Sequence, residues 1–164
     1  MTRYSLSHRI SPEHVSVLDD FTRSVPVKVG ALAQALGLKV VVAALPINIS
    51  GSIQPDIDSD GYIIKVNRFE PKERQRFTIA HEIAHFLLHK DLIRNGVVDS
   101  VLYRSKLSSR VEAEANRLAA DIVMPSDRVS EAVNTFQLSM DAQGISSLAD
   151  HFQVSKQAMT IRTG

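Results

Sequence analysis

A His-Glu-x-x-His run at positions 81–85, set inside Arg76-Phe77-Thr78-Ile79-Ala80-His81-Glu82-Ile83-Ala84-His85-Phe86-Leu87-Leu88-His89, constrains this chain more than any other feature. Residues four apart on an α-helix lie one above the other, so His81 and His85 can offer their rings to a single ion, most simply zinc. Glu82, beside the first of them, can reach a water in an open coordination position and take its proton. The flanks predict the helix this geometry needs. Pro71 suits a first helical position, and Lys72 to Arg76 are good helix formers. Phe77, Ile79, Ala80, Ile83, Ala84, Phe86, Leu87 and Leu88 then make the helix apolar almost all round, which places it inside a domain. Polar groups set into such a helix are costly unless partnered, and a metal supplies a partner. His89 continues the same face by one turn; of its two readings, a further ligand or a C-terminal partner for free carbonyls, its place at the end of the helix favours the second.

Two histidines leave a catalytic zinc site short of a protein ligand. The chain has no cysteine, which excludes disulfides and thiolate ligation, so the remaining ligand has to be a carboxylate or another imidazole. The stretch Arg110-Val111-Glu112-Ala113-Glu114-Ala115-Asn116-Arg117-Leu118-Ala119-Ala120-Asp121 predicts a second helix with two glutamates. With Ala115, Ala119 and Ile122 as its buried stripe, Glu112 and Asn116 fall on that stripe, while Glu114, Arg117 and Asp121 fall on the wetter side. Glu112 is therefore the better third ligand. Asn116, one turn on, is placed to bond the other nitrogen of a ligating histidine and fix its tautomer. Tyr103, in the irregular segment before this helix, is a candidate donor to an oxyanion.

Around these helices the pattern is that of an α+β domain. Residues 12–24 and 26–36 predict helices, the second stopped by Gly37. Leu38–Ala43, a stretch from Ser52 to Gln54, and Tyr62–Asn67 predict three strands. Asp56, Asp58, Asp60 and Gly61 read as a turn. They resemble the start of a calcium loop but lack the glutamate six places after the glycine. Residues 91–108 show little periodicity. Helices are then expected at about 109–124 and 126–136, followed by two short amphipathic stretches, 145–152 and 155–162, joined at Gln153-Val154. The second of these stretches carries only Lys156 and Arg162 as cations, too few for strong phosphate contact, so direct nucleic-acid binding is not expected.

The 164 residues suffice for one proper core, and 44% hydrophobic with 23% charged residues is ordinary for a globular protein. A formal net charge of +1 gives no electrostatic hint of nucleic acid. The first eight residues have no apolar run of signal-peptide length, and the run from Val40 to Ile47 is too short to span a bilayer. The expectation is a cytoplasmic protein without a membrane segment.

Taken in order, Pro26-Val27, Ala31-Leu32-Ala33-Gln34-Ala35-Leu36-Gly37, Gly51-Ser52-Ile53, Gly61-Tyr62-Ile63-Ile64, the block from Arg76 to His85, the block from Glu112 to Ala120, and Met124-Pro125 resemble the ImmA/IrrE family of zinc metallopeptidases. The resemblance runs from about residue 26 to 160, and Leu118 stands where the family more often has phenylalanine. It implies zinc on His81, His85 and Glu112 with Glu82 catalytic. It also implies a minimal thermolysin-like (zincin) fold, mostly helical, with a small three-stranded sheet beside the active-site helix and a C-terminal helical hairpin. The first 25 residues have no counterpart in the family pattern; the expected organisation is an N-terminal helical extension over 1–25, a metallopeptidase domain over 26–137 and the hairpin over 138–164. The implied partner is a protein substrate, typically a helix-turn-helix DNA-binding repressor. The competing expectation is a zinc-containing module that sequesters a regulator or toxin partner without cutting it.

Overall fold

The computed structural model describes residues 3–94, 98–99 and 109–164. Tyr103, the candidate oxyanion donor, lies outside them. A 3-10 turn at Ser7–Arg9 leads into α1 (Pro12–Phe21), whose first turn is capped by the Ser11 hydroxyl accepting from the His14 N–H. The second helix, α2, is Val29–Ala35, shorter than expected. Gly37 follows it at φ 79°, a left-handed conformation that a side chain would oppose, and this turns the chain into the sheet.

Strands β1 (Leu38–Ala43), β2 (Gly51–Pro55) and β3 (Tyr62–Asn67) match the expected positions. β2 and β3 form the antiparallel hairpin that the Asp56–Gly61 turn predicts, with Ile53 opposite Ile64. Asp56 organises that turn by accepting from the Asp58 N–H and the Ser59 hydroxyl, so its carboxylate already has turn partners. β1 pairs with β3 in parallel, Leu38 opposite Tyr62. The sheet differs from expectation in having a fourth member, β4 (Val98–Asp99), which pairs antiparallel with β2 and gives the order β1-β3-β2-β4. A two-residue strand carries no periodicity of its own, which is why the sequence reading stops at three strands.

The two long helices, α3 (Lys72–Leu88) and α5 (Ser109–Val123), pack against each other, and α3 also packs against β2 and β3. Pro71 stands at the cap of α3 rather than inside its first turn. Between the two helices comes α4 (Lys90–Arg94), unexpected because one turn is too short to show a pattern. Ala80 and Ala84 of α3 and Ala115 and Ala119 of α5 are fully buried, and side chains this small let two backbones come close. One continuous buried core joins Tyr4 and Leu18 near the N-terminus, Ile53 and Ile64 of the sheet, Ile83 of α3 and Ile122 of α5.

The chain closes with α6 (Ser126–Thr135), α7 (Ala142–Phe152) and α8 (Lys156–Thr163). Pro125 stands at the cap of α6. Gly144 in α7 permits a close approach, since a Cβ there would lie 1.7 Å from the Ser139 carbonyl oxygen. The α7–α8 hairpin is tied back to the long helices. Arg76 of α3 donates to the carbonyls of Phe152 and Gln153, and Arg162 of α8 donates to the Met124 carbonyl and to Asp121 of α5. Among the described residues, no helix is long and apolar enough to cross a membrane.

Candidate metal centre

His81 and His85 leave the buried face of α3 one turn apart, their ring centroids 4.7 Å from each other and the rings nearly perpendicular. Glu112 enters from the first turn of α5, where a carboxylate also complements the helix dipole. Its Oε2 lies 3.3 Å from Nε2 of His81, and its Oε1 3.2 Å from Nε2 of His85. One ligand atom from each residue can be chosen so that all three lie within 4.8 Å of one another.

These groups fit a metal for a reason that lies in their surroundings. Both Nε2 atoms and both Glu112 oxygens are buried without a hydrogen-bond partner. Folded proteins leave few such atoms, and each one costs roughly 1–3 kcal/mol. Two donors bound tetrahedrally at about 2.0–2.1 Å from zinc stand roughly 3.3 Å apart, which is the spacing of Glu112 from each histidine here. Two nitrogens and a carboxylate are also a donor set of the kind seen at catalytic zinc.

The charge states of His85 and Glu112 suit a cation. Burial drives the His85 pKa down to about 4, outweighing the pull of Glu112, so its ring is neutral and Nε2 can offer a lone pair. Burial alone would raise the Glu112 carboxyl, but the two histidines outweigh it and hold the group well below the usual carboxylate range. His81 moves the other way. Burial lowers it, and the neighbouring Glu112 and Glu82 carboxylates more than restore it, leaving a net rise.

Each remaining ring nitrogen has a partner. His81 Nδ1 lies 2.8 Å from Asn116 Oδ1, as the spacing on α5 predicts. Asn116 itself is exposed, so it reaches inward from the rim of the site. His85 Nδ1 lies 3.0 Å from Nδ1 of His89, whose Nε2 is 3.0 Å from Oε1 of Glu114. The structure corrects three sequence expectations. The His89 ring bridges His85 and Glu114 and does not serve the carbonyls at the end of α3. Glu114 is half-buried, bonded to His89 and Arg9, and not on a wet face. Asp121, assigned to the same wet side, is buried and takes Ser5 and Arg162. The signal for His89 was present as a third histidine at four-residue spacing. No local signal could have supplied Arg9, which comes from far away in the chain.

Glu82 is fully buried on α3 beside His81. A cleft of about 380 Å³ opens next to the site, bounded by Phe77, Thr78 and His81 of α3, by Asn116 of α5, and by Ala158 and Ile161 of α8.

Known proteins resemble this chain over about half or more of its length. It is 32% identical over 88 residues to the metallopeptidase ImmA of Bacillus subtilis, an alignment covering 54% of this chain and 49% of that protein. With the radiation response metalloprotease IrrE of Deinococcus radiodurans it shares 31% identity over 98 residues, 60% of this chain and 29% of the relative. The chain thus spans about half the length, or less, of these curated relatives. Among solved structures, a Mycobacterium tuberculosis transcriptional regulator has a similar fold, with a TM-score of 0.59 at 20% identity over 91% of this chain and 45% of that one. The profile of the IrrE N-terminal-like domain matches residues 33–163, which include both metal-site helices and the C-terminal hairpin, and the chain belongs to that family of peptidase domains.

Proposed function

We propose that this chain is a zinc-dependent endopeptidase domain acting on a regulatory protein, in keeping with a helix-turn-helix repressor as substrate. The observation that carries the reading is the convergence of His81 Nε2, His85 Nε2 and the two Glu112 oxygens in a buried site where none has a hydrogen-bond partner. The family's designation as a peptidase and the relatives named as metallopeptidase and metalloprotease support a peptide bond as the target.

His81, His85 and Glu112 would hold the metal. Zinc so held supplies a Lewis acid that acidifies water and polarises a scissile carbonyl. Glu82, one residue from His81, accepts the proton of the attacking water on its carboxylate and returns it to the leaving amine nitrogen. Asn116 accepts from His81 Nδ1–H and thereby keeps the Nε2 lone pair of His81 pointed at the ion. The cleft between α3 and α8 gives an extended peptide a place to lie, with Phe77, Ala158 and Ile161 offering an apolar wall. In α8, the Arg162 guanidinium is committed to Asp121 and Met124, which leaves it poorly placed to meet a phosphate.

Glu82→Gln tests the reading. The amide retains size and polarity but not the proton-accepting role, a loss of roughly 10²–10⁴ in rate. Cells carrying the wild-type chain should accumulate new peptide N-termini from a regulator, and cells carrying Glu82→Gln should not, with metal content equal in the two proteins. Identical regulator responses in both strains, with the regulator uncut in both, would replace the enzyme by a sequestering module.

A further inference from the structure

One line of polar contacts runs from the metal group to the protein surface and has no part in the chemistry above. His89 caps the C-terminal end of α3, is 7% exposed, and lies with Nδ1 3.0 Å from Nδ1 of His85. Its Nε2 lies 3.0 Å from Oε1 of Glu114, whose Oε2 accepts from Arg9 Nη1 at 2.6 Å. Arg9 belongs to the segment before α1, ahead of the stretch that the family profile matches.

Donor and acceptor chemistry gives this chain one direction. His85 Nε2 faces Glu112, so a ring that offers Nε2 to a metal carries its proton on Nδ1 and donates it to His89 Nδ1. An imidazole that accepts at Nδ1 keeps its proton on Nε2, and this proton points at Glu114. An ionised carboxylate only accepts and a guanidinium only donates, so the pair of Glu114 and Arg9 closes the sequence. Reversing either histidine link would put a proton on the nitrogen of His85 that faces Glu112.

We propose that His89, Glu114 and Arg9 are positioning residues that fix the tautomer and ring orientation of His85, and through them the affinity of the site for its metal. The proposal rests on the zinc-centre reading. His81 is oriented by a single exposed amide, whereas His85 is oriented by a buried imidazole, a carboxylate and a guanidinium in series. The segment that supplies Arg9 is held to α5 at a second point, where the Ser5 N–H and hydroxyl donate to Asp121 Oδ2 at 3.1 and 3.3 Å. The N-terminal segment thereby bears on a metal ligand it never touches.

The test is zinc affinity of the full chain, measured by competition with a chromophoric chelator, together with the visible spectrum of the cobalt(II)-loaded protein. His89→Ala and Glu114→Ala should each bind one zinc per chain roughly 10–100-fold more weakly than wild type and should shift the cobalt bands. Glu114→Gln retains an acceptor for His89 and should recover part of the loss, while Arg9→Gln should show a smaller loss. A merely structural role would lower the melting temperature and leave the spectrum unchanged. Wild-type affinity and a wild-type cobalt spectrum in Glu114→Ala would overturn the proposal, and that variant decides the matter if His89→Ala does not fold. A wild-type chain that binds no zinc would overturn the metal centre itself.

Discussion

The α3–α5 pair and the α7–α8 hairpin are both built from amphipathic helices on one core, yet they treat polar groups in opposite ways. In the hairpin the caps are satisfied. Asp141 accepts from the Gly144 N–H at 2.9 Å, Ser155 accepts from the Ala158 N–H at 3.0 Å, and Gln153 adopts φ 54° to end α7. Between α3 and α5, two imidazole nitrogens and both oxygens of a carboxylate face one another without hydrogen bonds. The hairpin is arranged for stability, whereas the pair holds polar groups that hydrogen bonding leaves unsatisfied. Substitutions in the two regions should therefore separate stability from metal binding.

The largest effect should come from metal itself. Zinc at about a thousand times its dissociation constant adds roughly 4 kcal/mol of stability. Thermal unfolding with zinc and with chelator should show this gap in the wild type and its loss in His85→Ala. Next, Phe152→Ala removes a fully buried ring from the hairpin and should cost roughly 3–5 kcal/mol in urea unfolding. Its folded fraction should bind zinc like wild type, and weaker binding there would break the comparison. Asp141→Ala deletes the cap of α7 and should cost about 1 kcal/mol with no change in zinc affinity.

A pH effect sharpens the comparison from the N-terminal side. Burial, reinforced by Asp19 and partly offset by Thr22, pushes the Tyr4 hydroxyl up to about 12. The folded state holds that proton more tightly than the unfolded one. Tyr4 thus contributes stability that is fully present below pH 10, its ordinary value, and is lost as pH rises through about 12. Unfolding free energies measured across that window should fall more steeply in wild type than in Tyr4→Phe, and zinc affinity at neutral pH should be the same in both.

The legible parts of the molecule were those whose physics is local. His81, Glu82 and His85 stand out because polar side chains interrupt an otherwise apolar helix, and Glu112 because helical spacing sets it beside the stripe that Ala115 and Ala119 define; Asn116 is exposed and reaches His81 from the rim. β1 and β3 show in their β-branched runs, and β2 in its place before the Asp56–Gly61 turn. Strand order does not, since nothing in Leu38–Ala43 encodes parallel pairing with β3 in preference to β2. Glu114 and Asp121 were misplaced because a helical wheel gives an angle and not a neighbour. Their partners, Arg9 and Ser5, are more than 100 positions away.

Metal content tests the central claim most directly. Protein purified without chelator and analysed for metals should contain one zinc per chain, Glu82→Gln should match it, and Glu112→Ala should contain none. A well-folded wild-type chain that is free of zinc and takes up none when zinc is added would contradict the account.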